Sequence, residues 1–295
     1  MREPIFTGAC VALVTPMFED GSVNYEGIDR LVEYHIANGT DAICACGTTG
    51  EASTLDAEEH DAVIERTVKA AKGRIKVIAG TGSNDTKYGI MTSQHAEKLG
   101  ADALLMVTPY YNKCSQLGLI KHYNALADSV NLPIILYNVP GRTGCNILPE
   151  TVKELSKHPN IVAVKEASDN VSQVTKIASL CGDDIDIYSG CDDLIVPIMS
   201  VGGKGVISVL SNIVPKVAHD IAALYLEGKV KESRELALEY FDLCKALFCD
   251  VNPIPVKTAM NLMGMDVGPC RLPLCEMTES GLNTLKASLK RHNLI

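Results

Sequence analysis

Eight short apolar, β-rich runs, each bounded by Gly, Pro or Asp, recur along the chain with amphipathic helical stretches between them. They begin at Ala9, Ala42, Ile75, Ala103, Pro133, Ile161, Ile185 and Gly205, and their starts lie about 20 to 33 residues apart. Strands that alternate with helices pair in parallel, and near-continuous apolar strands are buried on both faces. The intervening stretches GIDRLVEYHIANG, AEEHDAVIERTVKAAKG and KYGIMTSQHAEKLG each end in Gly, as helices often do. Eight such units meet the requirement of a (β/α)8 TIM barrel, an α/β fold. The rival, a doubly wound open sheet, calls for GxGxxG after its first strand. The nearest match, Gly80-Thr81-Gly82, follows the third strand and lacks the final Gly, and GGKG at 202–205 does not have phosphate-loop spacing.

The length of 295 residues fits one large domain or two modest ones. Residues 1–228 are expected to form the catalytic barrel and 229–295 a C-terminal helical extension, with helical patterns at 229–249, 254–264 and 278–291. Lys plus Arg total 27 against 36 Asp plus Glu, a net charge of −9, and no basic block occurs. General nucleic-acid binding and attraction to an anionic membrane are therefore excluded as expectations. The opening MREPIFTGACVALVTP is too short and too broken for a signal peptide or a spanning helix. Eleven cysteines is an odd number, and most sit inside apolar runs as buried thiols do, so the chain reads as reduced and cytoplasmic. Cys44 and Cys46 would share one strand face, but no second pair of ligands stands at zinc-site spacing, and packing is the expected role.

In barrel enzymes the chemistry sits at the C-terminal ends of the strands. Here those ends carry GTTGE (47–51), TPYYN (108–112), YNVPGRTG (137–144), Lys165 and Ser189-Gly190. The set supplies hydroxyls, phenols, one guanidinium and one amine, without a carboxylate pair or a metal-ligand cluster, so metal hydrolysis and glycoside chemistry lack their parts. Lys165 ends the apolar run IVAVK, where a partly desolvated amine becomes a nucleophile toward carbonyls and a Schiff-base candidate. It could instead reach to solvent or pair with Glu166. Tyr137, near the end of the neighbouring strand, could shuttle protons to Lys165 or simply satisfy its own hydroxyl. Thr48 and Thr49 could hold a carboxylate, pass a proton or cap a helix. Tyr110 and Tyr111 suit packing or an interface. Arg142, on a Gly-flanked loop, presents a fork suited to a carboxylate, or forms a surface ion pair.

Taken together, GACVALVTPM, GTTGE, VTPYYN, YNVPGRTG, VAVKEAS and NPIPVK resemble, in order and spacing over nearly the whole chain, the 4-hydroxy-tetrahydrodipicolinate (dihydrodipicolinate) synthases of the pyruvate-dependent class I aldolase group. The resemblance implies that Lys165 forms a Schiff base with pyruvate, with no metal or separate cofactor, and that the enamine adds to L-aspartate 4-semialdehyde in lysine (diaminopimelate) biosynthesis. It implies a proton relay of Tyr137, Thr49 and Tyr111, with Tyr111 coming from a neighbouring subunit. Thr48 and Thr49 would bind the pyruvate carboxylate, Arg142 the semialdehyde carboxylate, and Gly190 and Ile207 would line the site through backbone atoms. The expected assembly is a homotetramer built as a dimer of dimers. Related aldolases for sialic acid or 2-keto-3-deoxy sugar acids share the Tyr, the Lys and the barrel but lack this Arg. A catalytically silent sensor barrel is a third reading, disfavoured because the relay residues are intact. His60, Asn84 and Tyr110 match the site at which some family members bind inhibitory lysine. Ala57 replaces a polar residue there and Tyr88 replaces the Glu that grips the inhibitor's amine, which predicts weak or absent lysine feedback.

Overall fold

Eight parallel strands close into a barrel in the order in which they occur along the chain. They are β1 (Gly8–Ala12), β2 (Ala42–Ala45), β3 (Lys76–Gly80), β4 (Ala103–Val107), β5 (Ile134–Asn138), β6 (Ile161–Glu166), β7 (Asp186–Ser189) and β8 (Gly205–Ser208). The computed structural model describes residues 3–295. β8 pairs back onto β1 with Cys10 opposite Ile207, which completes the circle. Around the strands run α1 (Tyr25–Ala37), α2 (Ala57–Ala71), α3 (Thr86–Lys98), α4 (Gln116–Ala127), α5 (Pro140–Thr143), α6 (Pro149–Leu155), α7 (Val171–Cys181), α8 (Ile195–Met199) and α9 (Pro215–Leu226).

Local chemistry explains the helix boundaries. Asp56 caps α2 and Glu59 returns the bond to the Asp56 backbone, a reciprocal pair that satisfies two otherwise orphaned donors. α1 buries Ile28, Leu31, Val32 and His35, the 3-4-3 spacing of a single helical face. Gly39, Gly73 and Gly100, just past the ends of α1, α2 and α3, all take positive φ as the sequence pattern implies.

Side-chain alternation along the strands divides the core in two. On β5, Ile134 and Leu136 pack outward against the helical layer, whereas Ile135 and Tyr137 face the barrel interior. Phe6, ahead of β1, and Tyr188 stack with ring centroids 4.3 Å apart in that interior. The Tyr188 hydroxyl donates to the Phe6 carbonyl at 2.8 Å. Cys44 lies in the interior, but Cys46 belongs to the outer layer, so the expectation that both share one face is corrected. β2 ends at Ala45, and Cys46 adopts φ +53°, so strand alternation no longer governs where its side chain points.

Beyond α9 the chain forms α10 (Val230–Glu239), α11 (Phe241–Ala246), α12 (Ile254–Leu262) and α13 (Glu279–Arg291). The continuous helix expected over 229–249 is therefore two, broken at Tyr240, which serves both as the C-cap of α10 and as the N-cap of α11. Leu243, Leu247, Val256, Met260, Leu285 and Leu289 from this extension join the same core cluster as Leu13, Val14 and Met17 of the barrel. Each such burial contributes about 1.5–3 kcal/mol, so the extension holds firmly to the barrel's C-terminal mouth.

Candidate active site

Alternation on β6 turns Lys165 inward and Glu166 outward. The Glu166 carboxylate accepts from Asn138, Ser168 and Gln173, so it is not the partner of Lys165. Burial raises the Glu166 pKa, and these hydrogen bonds oppose the rise. Tyr137 is the register partner of Lys165 on the adjacent strand. The Lys165 Nζ, on a side chain only 6% exposed, sits 4.2 Å from the centroid of the Tyr137 ring. An ammonium over a phenol face is attracted by the ring quadrupole, which fixes where the amine points. Gly190 crosses directly over the lysine stem. A Cβ there would lie 2.6 Å from Ala167 Cβ and 3.1 Å from Lys165 Cε, so only glycine leaves the stem in place. Below the amine the barrel is lined by Cys10 and Cys44. Burial pushes the Cys44 thiol up to about 11, against a smaller opposing effect of Lys165, so it stays neutral and does not compete as a nucleophile.

A cavity of about 350 Å³ opens above Lys165, with Tyr137, Thr48, Thr49, Arg142 and Gly190 in its wall. Six of the residues singled out from the sequence are thus brought together. Two are not. Ile207 lies fully buried in the interior of β8, and Val209, two residues further on, reaches the cavity instead. Tyr111 is 91% exposed, with φ +72°, and borders no cavity of this chain. Sequence reasoning also missed two lining residues, Asn252 and Asp192. Asn252 donates from Nδ2 to Thr49 Oγ at 3.0 Å, and its backbone carbonyl accepts from Arg142 Nη2 at 3.2 Å. Asp192, buried on the turn after β7, accepts from the Val209 and Leu210 amides at 3.0 and 2.9 Å. Burial raises its carboxyl above the usual range. The motif NPIPVK, which holds Asn252, was the one available signal for it.

A second cavity, also about 350 Å³, shares Gly47, Thr48, Tyr137, Val139 and Arg142 with the first. His60, Tyr88 and Tyr110 line it. Asn84 lies behind, donating to the Tyr110 carbonyl at 3.1 Å, and Ala57 is outside the lining. His60 Nε2 stands 2.8 Å from the Gly80 carbonyl, which can only accept, so Nε2 carries the proton. Among the described residues, no group of three or more His, Cys, Asp or Glu side chains is gathered to hold a metal, and no helix is long and apolar enough to cross a membrane.

A closed parallel barrel with a buried lysine beneath a tyrosine at its mouth defines the class of barrel enzymes equipped for Schiff-base chemistry. The chain belongs to the dihydrodipicolinate synthetase family, whose model matches residues 5–292. It is 56% identical over 295 residues to the 4-hydroxy-tetrahydrodipicolinate synthase of Acetivibrio thermocellus, with both chains covered in full. The crystal structure of dihydrodipicolinate synthase from Aquifex aeolicus superposes with a TM-score of 0.96 at 46% identity, covering 98% of this chain and 99% of that one. The enzyme of Cyanidioschyzon merolae, solved with lysine bound, gives 0.96 at 40% identity, covering 99% and 100%.

Proposed function

We propose that this chain is a 4-hydroxy-tetrahydrodipicolinate synthase, which condenses pyruvate with L-aspartate 4-semialdehyde in lysine biosynthesis. The observation that carries the reading is the Lys165 amine held over Tyr137 in a cavity that also contains Thr48, Thr49 and Arg142. The amine adds to the pyruvate keto carbon, and loss of water leaves an iminium on Lys165. Loss of a methyl proton gives the enamine, whose carbon bonds to the aldehyde carbon. The amino group of the semialdehyde then attacks the iminium carbon, closing the ring and releasing Lys165. Tyr137 and Thr49 move the protons, Thr48 and Thr49 hold the pyruvate carboxylate, and Gly190 keeps the lysine stem in place. The fork of Arg142 binds the semialdehyde carboxylate, and the backbone of Ile207 contributes to the floor. All bond changes run through Lys165, so no bound metal or cofactor enters the scheme.

Tyr111 completes the relay from a neighbouring subunit. Its exposure supports this, as does a left-handed backbone, which costs about 1–3 kcal/mol in a non-glycine residue and clusters at functional sites. Tyr88, Met91 and Tyr110 are also exposed apolar residues, as expected of a surface that pairs in a homotetramer.

A coupled assay offering aspartate semialdehyde beside sialic acid and a 2-keto-3-deoxy sugar acid tests the substrate assignment. Turnover of the semialdehyde alone is expected, and equal or better use of a sugar acid rejects it. Arg142→Ala is expected to retain borohydride trapping of pyruvate while kcat/KM for the semialdehyde falls by about 10²-fold, the value of a charge-assisted bidentate contact of roughly 3 kcal/mol. Unchanged kinetics would remove Arg142 from the site. For the second cavity, His60, Asn84 and Tyr110 remain candidates for lysine binding. With Tyr88 in place of a carboxylate the inhibitor's ammonium loses about 1.5–3 kcal/mol, or roughly ten- to hundredfold in affinity. Lysine titrated at saturating pyruvate should inhibit weakly or not at all, and strong inhibition below millimolar concentration contradicts this.

A further inference from the structure

Asn252 lies between α11 and α12, far along the chain from every barrel strand, yet it touches both ends of the proposed site. Its side chain is buried, with the residue 5% exposed. The carboxamide N–H donates to Thr49 Oγ at 3.0 Å, while the main-chain carbonyl accepts from the Arg142 guanidinium at 3.2 Å. Oδ1 is buried and has no partner, so the amide is fixed by its donor end. The segment has no freedom to drift. One turn on, Lys257 Nζ is bound to Glu51 Oε1 at 2.8 Å, and Glu51 is two residues beyond Thr49 in the same loop. The loop and the α12 segment are therefore tied at two adjacent points.

We propose that Asn252 is a positioning residue for the condensation. Its N–H occupies a lone pair of Thr49 Oγ, which makes that hydroxyl an acceptor on the side away from the amine. The Thr49 proton is then directed to the cavity, where Tyr137 and the pyruvate-derived intermediate stand. The inference rests on the relay role proposed above for Thr49. It also carries a kinetic signature. The contact to Arg142 is made by the main chain and survives any side-chain substitution, so replacing Asn252 affects proton transfer and leaves recognition of the second substrate alone.

The test is steady-state kinetics and pyruvate trapping on the full-length protein with Asn252→Ala, Thr49→Val and the double variant. Asn252→Ala should lower kcat on the order of 10²-fold, the cost of misplacing a reacting group. Its KM for aspartate semialdehyde should stay within about twofold of wild type, and trapping should persist. In the Thr49→Val background the same substitution should cost nothing further, because its effect passes through the missing hydroxyl. A wild-type kcat in Asn252→Ala, or losses that multiply in the double variant, overturns the proposal.

Asn252→Asp keeps the shape should the alanine variant fail to fold. Its carboxylate can only accept and captures the Thr49 proton. The ratio of its kcat to wild type should rise as pH falls from about 8 to 6, because a protonated carboxyl donates again. A flat ratio overturns the inference. A wild-type chain that neither traps pyruvate nor uses the semialdehyde overturns the proposed function and this role together, whereas an active wild type with unaffected variants overturns the role of Asn252 alone.

Discussion

Lys165→Ala protein treated with pyruvate and borohydride gains no mass, whereas the wild-type chain gains one reduced pyruvate adduct at Lys165, and condensation in the variant falls by at least about 10³-fold. That loss, on the order of 4 kcal/mol of transition-state stabilisation, is what removal of a covalent nucleophile costs when oriented binding groups remain. The geometry makes the outcome specific. Lys257, the other deeply buried lysine, has its ammonium engaged by the Thr15 and Pro269 carbonyls and by Glu51. It has no free electron pair to offer a keto carbon. Lys165 has only the Tyr137 ring near its Nζ and a cavity above it. Intact-mass spectrometry reads the adduct, and digestion locates it. An adduct that survives in Lys165→Ala moves the chemistry to another amine.

The second large effect is on stability. Lys257→Met is expected to destabilise the fold by about 3–5 kcal/mol, because it leaves the Glu51 carboxylate buried without its cation. The pair is almost fully enclosed, with side chains 2% and 1% exposed. Glu51 retains only its bond from the Arg271 amide, at 2.9 Å. A loss of that size lowers Tm on the order of 10 °C in a protein of this length. Adding Glu51→Gln to Lys257→Met removes the unpaired charge and should recover part of it, so the double variant melts above the single one. Thermal unfolding followed by circular dichroism measures both. A single variant within a degree or two of wild type would show that the pair is not needed to hold the mouth together. Because Thr48 and Thr49 share the loop with Glu51, kcat should fall in the single variant as well.

The barrel was legible in the chain because its period is physical. A strand buried on both faces has to be apolar throughout, a helix that covers it has to be amphipathic, and eight repeats of that alternation leave one closed solution. Lys165 was legible for the same reason, since an amine at the end of IVAVK interrupts a run that has no other use for charge. Its choice between Tyr137 and Glu166 as neighbour was open until strand alternation and register assigned one to each face. Cys46 was misread because a strand's period was extended one residue past the strand's end. Asn252 was invisible as a functional residue because nothing local distinguishes it. Its partners Thr49 and Arg142 come from the loops after β2 and β5, and only the path of the C-terminal extension over the mouth brings the three together. Tyr111 carries its information in exposure and backbone conformation, neither of which is written in the letters TPYYN.

The stacked Phe6 and Tyr188 rings also govern traffic. They stop the barrel from below, so the vessel has a single doorway at the end where the extension sits. The amine stands on the floor side of that doorway. Whatever bonds to Lys165 must pass in before its reaction partner, which then lies on top of it and bars its exit. Order of arrival is thereby set by architecture rather than by relative affinity. The joined product, built upward from the lysine, must leave whole by the way both halves came in before another molecule can take its place.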